Sequence, residues 1–333
     1  MEQRIKERYN ESILQEAMRR YGIAAGDIAL LDGFESFMVA FTRQGGDYVL
    51  RIGHSLRRSQ TLIQGEVDWL NYLAAGGASV AGAALSQGGN LVEAIDDGQG
   101  GQFLTTAFVK APGRPPRRAD WTEEMMVTYG RLLGRMHALS QHYQPPDSGG
   151  RRPHWDDPEM LEVERLLPDT ERAALARYRE LMQHLQTLPR EGASYGLIHQ
   201  DAHAGNFFLD ESGRITLFDF DDCVYSWYAN DVAIVLFYAV TGLEEPTAFT
   251  AQFMLHFLHG YRCENRLHPD WLAEIPYFLK LREIDLYAVI HRSFDIDNIT
   301  NAWAAAFMRG RKQRIADDVP YLSFDFASLT PYL

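Results

Sequence analysis

The sequence predicts an α+β chain of two lobes: a small mixed amino lobe with an antiparallel sheet, and a larger, mainly helical carboxy lobe. Three observations carry that expectation. The chain has 333 residues, more than one hydrophobic core usually holds. Its texture changes once, from one leading helix and short strand patterns over residues 1–110 to almost unbroken helical patterns beyond residue 119. Between them, residues 111–118 read Ala-Pro-Gly-Arg-Pro-Pro-Arg-Arg, a run that punctuates the chain heavily. The expected lobes are residues 1–110 and 111–333.

In the amino lobe, Ile13, Leu14, Ala17, Met18 and Tyr21 recur at helical spacing behind a cap at Asn10 or Ser12, and Gly22 stops the helix. Strand patterns follow at 28–31, 37–42 and 48–52, with Gly45, Gly46 and Asp47 as the hairpin turn between the last two. A helix over about 59–75 ends at Gly76 and Gly77, and further strand patterns lie at 91–94 and 103–108. The carboxy lobe opens on a capping-box-like Asp120 and Glu123. Behind them Met125, Tyr129, Leu132, Leu133 and Met136 mark a buried face. Helical patterns also cover about 158–167, 170–187, 229–242, 247–261, 276–293 and 299–317. One interruption differs: 196–198, 207–209 and 215–218 are strand-like, with a turn at 211–214.

Composition narrows the function. Basic residues number 32 and acidic residues 45, a net charge of −13, which argues against a large nucleic-acid or anionic-membrane surface and leaves cationic small molecules as natural partners. Hydrophobic residues at 46% and charged residues at 23% exclude a disordered or fibrous chain. The longest apolar run, 232–240, is far shorter than the roughly 20 residues that span a bilayer. The first twelve residues lack the apolar core of a signal peptide. Two cysteines, Cys223 and Cys263, give neither a disulfide framework nor a zinc pattern, so a cytoplasmic protein is expected.

The chemistry concentrates in the interruption. It carries His199, Asp201, His203 and Asn206 ahead of one strand, and Asp219, Phe220, Asp221 and Asp222 after the next. With 211–214 as the turn, Asp210 faces Ile215 and position i faces 425 − i, which sets Asn206 opposite Asp219. Asp201 lies in the loop entering the first strand, close enough to converge on them. Two carboxylates and an amide suit a hard cation such as Mg²⁺, which takes oxygen ligands. A remaining carboxylate can orient a hydroxyl and accept its proton, worth about 10²–10⁴-fold in rate. Positioning and charge neutralisation are what phosphoryl transfer requires.

His199-x-Asp201-x-x-x-x-Asn206 followed by Asp219-Phe220-Asp221 resembles the catalytic and metal motifs of the aminoglycoside phosphotransferase and choline kinase-like family, which is similar in fold to protein kinases. The resemblance covers about residues 20–320. It implies a protein-kinase-like fold and transfer of the ATP γ-phosphoryl group, with Mg²⁺, to a hydroxyl. It further implies Asp201 as catalytic base, Asn206 and Asp219 as metal ligands, and His199 as a support of the loop. The segment Asn230-Asp231-Val232-Ala233 is similar to the family's helix start, whose Asp braces that loop. In the amino lobe, Gly33-Phe34-Glu35-Ser36 sits where the family covers the phosphates with a hairpin loop, which implicates Ser36. Arg51 stands where the family grips the α/β-phosphates with Lys or Arg; an arginine does so as a fork rather than a point charge. Glu66 lies in an apolar helical stripe between Leu62 and Leu70, where a carboxylate is costly unless paired, and Arg51 is the obvious partner. Residues 103–110 are similar to the interlobe hinge, where Thr106, Ala107 and Phe108 would read adenine through their backbone.

Acceptor candidates are Asp221, Trp227 and Tyr228 after the metal motif, and Arg282, Glu283 and Asp285 with Asp295 and Asp297 further on. Acidic and aromatic side chains suit a cationic acceptor such as an amino alcohol, amino acid, aminoglycoside or sugar-like molecule, while Arg282 suits a carboxylate. Other readings stay open. A protein Ser/Thr kinase of the same family would show an open acceptor groove. A nucleotide-binding pseudokinase is kept open by Arg51. On a straight strand His199, Asp201 and His203 share one face and could hold zinc or iron in a hydrolase, although Ala204 and Gly205 break the strand at once.

Overall fold

A computed structural model of the chain describes every residue except 25, 34 and 147–149. The chain forms two compact units, each assembled from separate stretches. Met1–Arg114, Tyr143–Arg152 and Phe208–Asp221 make the first; Pro115–His142, Pro153–Phe207 and Asp222–Leu333 make the second.

The first unit opens with α1 (Gln3–Lys6) and α2 (Glu11–Tyr21). Asn10 caps α2, its Oδ1 accepting from Ser12 N at 3.0 Å, and Gly22 ends it in the left-handed region at φ 65°. Strands β1 (Ile28–Leu31), β2 (Phe37–Arg43), β3 (Gly46–His54), β4 (Ala83–Ala84), β5 (Glu93–Asp96) and β6 (Gln102–Val109) form one sheet in the order β1-β2-β3-β6-β4, with β5 also on β6. Every pairing is antiparallel. Helix α3 (Gln60–Ala75) follows β3. Alternation along the strands gives the sheet two buried faces. Val39, Phe41, Leu50, Ile52 and Phe103 pack with Ile13, Met18 and Tyr21 of α2, whereas Leu104 packs with Ile63 and Val67 of α3. Arg51, between Leu50 and Ile52, therefore leaves the α2 side. The hairpin turn sits one residue earlier than expected: Arg43 pairs with Gly46, and Gln44 and Gly45 both take positive φ, at 53° and 79°. That is the twist a two-residue hairpin demands. Strand β4 was not legible, since two alanines carry no alternating pattern.

In the second unit Thr122 caps α4 (Glu123–Ser140) by accepting from Met125 N, while Asp120 bonds Arg117 N in the turn ahead. Helices α5 (Glu162–Leu166) and α6 (Arg172–Leu185) lead to β7 (Tyr195–Ile198). The hairpin of β8 (Phe207–Leu209) and β9 (Ile215–Leu217) comes next, and nearly all of it belongs to the first unit. There Leu209 exchanges backbone bonds with Arg114 and Ala81 N donates to Leu217 O at 2.8 Å. The hairpin closes one position tighter than expected, with Asp210 N donating to Arg214 O at 3.1 Å. The Asp210 carboxylate draws the chain in by accepting from Ser212 N and Arg214 N. Strand β10 (Val224–Trp227), unforeseen, pairs antiparallel with β7. Helices α7 (Tyr228–Val240), α8 (Pro246–Tyr261), α9 (Ile275–Ser293), α10 (Ala302–Met308) and α11 (Arg311–Ala316) complete the unit. The last two replace one expected helix, which breaks where Gly310 takes φ 68°. Among the described residues no helix is long and apolar enough to cross a membrane.

Helices α4 and α8 meet backbone to backbone. A Cβ on Gly130 would collide with the carbonyl of Phe257, and one on Gly260 with that of Val127. Gly130→Ala is expected to lower stability by about 1–3 kcal/mol through overpacking, despite alanine's better helix propensity. Thermal melts of Gly130→Ala and Gly260→Ala check this; midpoints at or above the parent's would show that the helices have room.

Candidate active site

The second unit builds a loop around Asp201. The antiparallel partner of β7 fixes its end, Ile198 against Val224. The chain then turns through His199, fully buried, and Gln200, whose φ of 69° lies in the left-handed region. A side chain more than 30 residues further along the sequence holds this turn in place. Asp231, fully buried on α7, accepts from His199 N through Oδ2 and from Gln200 N through Oδ1, both at 2.9 Å. His137 Nε2 lies 3.2 Å from the same carboxylate, and Tyr261 Oη is 2.9 Å from His137 Nδ1. Asn230 holds the Gln200 side chain at 3.2 Å, and Tyr129 Oη donates to the Ala202 carbonyl.

Asp201 faces three partners. Arg282 Nη2 of α9 donates to Oδ1; Asn206 Nδ2 donates to Oδ2 at 3.0 Å and to the Asp201 carbonyl at 2.9 Å; His203 Nε2 lies 3.3 Å from Oδ2. Burial pushes the carboxyl up, but Arg282 and His203 outweigh it and hold the group below the usual carboxylate range. Asp201 is thus ionised at neutral pH. With its nitrogen on Asp201, Asn206 offers Oδ1 as the atom a hard cation takes. His199 Nδ1 accepts from Asp201 N at 3.3 Å, which turns this ring into the loop. Among the described residues no group of three or more His, Cys, Asp or Glu side chains is arranged to hold a metal, so the strand-borne zinc or iron arrangement does not form.

In the first unit Arg51 and Glu66 meet as a fork, Nη1 to Oε1 at 2.8 Å and Nη2 to Oε2 at 2.6 Å, with Glu66 fully buried. Burial works against the guanidinium charge, yet Glu66 and Asp221 raise its pKa, so Arg51 stays cationic. Asp221 sits among arginines: Arg57 bonds it, Arg58 is at 3.6 Å and Arg51 at 3.8 Å, while Arg152 Nη2 donates to its carbonyl at 2.6 Å. Burial raises the Asp221 pKa, and those guanidiniums drive it far below the usual range. Asp219, two residues past β9, takes φ 65°, a left-handed conformation that costs a non-glycine residue energy and tends to cluster at functional sites. Phe220 packs edge-on against Trp69 at 5.4 Å. Ser36 closes a tight loop whose Gly33 leaves no room for a Cβ against the Ser36 carbonyl; Phe34 of the same loop lies outside the described residues.

Several candidates take other places. Thr106, Ala107 and Phe108 lie within the ladder, opposite Arg51, Leu50 and Val49 of β3, and Ala107 and Phe108 also pair with β4. Their backbone groups are committed to the sheet, because the strand runs on to Val109. Trp227 is not a pocket wall. It is fully buried against Trp155, Tyr195 and Phe278, and its Nε1 donates to Pro189 O at 2.8 Å. Tyr228 is buried and stacks on His137 at 4.6 Å. Glu283, fully buried, bonds Lys280 at 2.6 Å and Arg311 at 2.5 Å. Arg282, by contrast, reaches Asp201. Asp285 has no hydrogen bond among the described residues, and burial, opposed by Arg282 and aided by Glu162, pushes its pKa up to about 7. Sequence reasoning missed Tyr238, which donor Arg282 also contacts at 2.6 Å, and Arg57, Arg58 and Arg152. Tyr238 follows Asp231 by seven residues, two turns along one helix face, so its position was recoverable.

Positioned charge of this kind suits phosphoryl transfer, and the fold and site define a protein-kinase-like phosphotransferase. The chain belongs to the phosphotransferase enzyme family, whose model matches residues 28–275. It is 38% identical over 325 residues to amicoumacin kinase of Bacillus subtilis (strain 168), covering 96% of each chain. Hydroxylysine kinase of Mus musculus is 25% identical over 239 residues, 65% of this chain and 61% of that one. Among solved structures, an amicoumacin kinase in complex with AMP-PNP, Ca²⁺ and Ami superposes with a TM-score of 0.93 at 39% identity, covering 99% of this chain and 100% of that one. A microcompartment-associated aminopropanol kinase shares the fold, with a TM-score of 0.72 at 23% identity over 93% of this chain and 98% of that one.

Two outcomes follow from these carboxylates. Asp231→Ala should cost about 2–5 kcal/mol, since it strands two buried N–H groups, and urea unfolding measures it; a loss below that of an ordinary surface change would remove Asp231 as the brace. Asp285 has a folded pKa of about 7 against an ordinary 3.8. Its proton therefore favours the folded state at low pH, and that contribution disappears as pH rises through the folded value. Asp285→Asn should match the parent's stability least above neutrality, where it is the more stable protein, and the gap should narrow toward pH 4. A gap independent of pH would rule this out.

Proposed function

We propose that this chain is an ATP- and Mg²⁺-dependent kinase that phosphorylates a hydroxyl of a small molecule bearing a basic amine, with Asp201 as catalytic base. The observation that carries the reading is the state of Asp201: ionised, oriented by Arg282, Asn206 and His203, and set in a loop whose backbone Asp231 braces. Such a carboxylate orients the acceptor hydroxyl and takes its proton as the oxygen–phosphorus bond forms. In this reading the amino lobe binds nucleotide and the carboxy lobe supplies base and acceptor pocket. Arg51, kept cationic against Glu66, meets the α/β-phosphates, with Ser36 in the loop over them. Adenine is read where β6 ends rather than within it, since the strand continues to Val109. Asn206 and Asp219 supply the hard oxygen donors that Mg²⁺ takes; when bound, the ion neutralises charge on the phosphate oxygens. Asp285 is the residue suited to the acceptor's amine, because a cation beside it would restore its charge. Likeness to amicoumacin kinase over nearly the whole chain supports a small-molecule acceptor, and amicoumacin is the first to assay. A cytoplasmic setting, where ATP is abundant, agrees with cysteines that form no disulfide among the described residues.

Asp201→Asn should lower turnover by about 10²–10⁴-fold, while Mg·ATP still raises the melting midpoint by mass action. Thermal-shift titrations with ATP, with and without Mg²⁺, run beside the turnover assay. Undiminished turnover would dismiss Asp201 as the base; loss of both the fold and the Mg·ATP shift would make it a structural residue.

A further inference from the structure

Asp201 is the proposed base, yet both its carboxylate oxygens already have partners. Oδ2 accepts from Asn206 at 3.0 Å, with His203 at 3.3 Å, and Oδ1 accepts from Arg282. The contacts differ in kind. Asn206 and His203 belong to the same loop as Asp201, whereas Arg282 reaches in from α9, 81 residues away in sequence. The same Nη2 also donates to Tyr238 Oη at 2.6 Å, and the guanidinium lies over the Tyr238 ring at 5.1 Å. Its Nε is buried without a hydrogen-bond partner. A buried N–H left unbonded is costly, so this guanidinium is held in place but incompletely satisfied there.

We infer that Arg282 is a positioning residue that occupies the proton-accepting oxygen of Asp201 until the acceptor displaces it, and that it thereby suppresses phosphoryl transfer to water. The inference rests on Asp201 being the base. Without an acceptor, a water could use the same carboxylate: its oxygen would bond to Pγ, the bond from Pγ to the ADP oxygen would break, and its proton would pass to Asp201. With Oδ1 on a guanidinium, the charge that would draw that proton is partly neutralised, and the oxygen is a poorer acceptor. An acceptor binds through the rest of its structure as well as its hydroxyl, and that binding energy can move Arg282 aside. A water has no such remote contacts. The ion pair thus distinguishes the acceptor hydroxyl from the solvent hydroxyl, and Arg282 sets specificity by what it withholds.

The test uses Mg·ATP alone, with ADP release as the readout. Arg282→Met keeps an unbranched stem over Tyr238 and removes the charge. It should raise acceptor-independent ATP hydrolysis by about tenfold or more, within the 10²–10⁴-fold that a positioned base contributes. Arg282→Lys, which restores a cation without the fork, should fall between Met and the parent. Tyr238→Phe releases one of the two contacts of Nη2 and should raise hydrolysis less, which keeps the inference testable if Arg282→Met does not fold. Hydrolysis that stays level or falls in the folded variants overturns it. Placing Asp201→Asn on Arg282→Met should return hydrolysis to the parent's rate or below; a rate that stays high does not run through Asp201 and also overturns it. If Asp201→Asn alone leaves transfer to an acceptor intact, base and inference fall together, a result separable from unchanged hydrolysis in Arg282→Met.

Discussion

A single buried carboxylate fixes the backbone from which the chemistry is built. Asp231 has no exposure to solvent, and its two oxygens are committed to consecutive backbone N–H groups, those of His199 and Gln200. A chain that turns through a left-handed Gln200 cannot satisfy those donors by regular structure. The carboxylate therefore serves as the missing strand partner. The direction in which Asp201 leaves the turn, and hence its bonds to Asn206 and Arg282, follow from that attachment. His137 and Tyr261 extend the bracing into α4 and α8, which glycines at 130 and 260 allow to approach backbone to backbone. Stability of the unit and placement of Asp201 are thus one problem.

The first unit solves a different one, how to keep cations inside a protein. Asp221, Glu66 and, through Arg57 at 3.6 Å, Glu35 offset the guanidiniums of Arg51, Arg57, Arg58 and Arg152. The charge of Asp219 acts on Arg51 as well, so four carboxylates stand against these four guanidiniums. Asp221 also has a role of its own: removing it would take from these arginines the carboxylate that Arg57, Arg58 and Arg51 share, a heavy cost for buried groups.

The legible parts were those written in local pattern. The leading helix, its Asn10 cap, the three-strand start of the sheet and the long helices follow from periodicity and capping, because local sterics and a single buried face decide them. The motif around Asp201 was legible for the same reason, being contiguous. Errors fell where neighbours far along the chain decide. Strand β10 exists because β7 needs a partner, and its own residues show no clean alternation. Trp227 looked like a pocket wall because an aromatic beside a motif reads that way, but its neighbours Trp155 and Phe278 lie 72 and 51 residues off and close a core around it. The hairpin of β8 and β9 closes a position early because the Asp210 side chain, rather than strand register, sets the turn.

By itself the sequence determined the two-lobed α+β class, the family to which the chain belongs, and the motif residues, since each is a property of residue type and short spacing. Only tertiary structure decided which charges meet. That Glu283 belongs to Arg311, that Asp221 belongs to the arginines, and that Arg282 reaches Asp201 are all settled by which elements pack together. Electrostatic partners are chosen by distance in space, and the strength of each pair depends on how much water the surrounding packing removes. Neither quantity is written in the order of the residues.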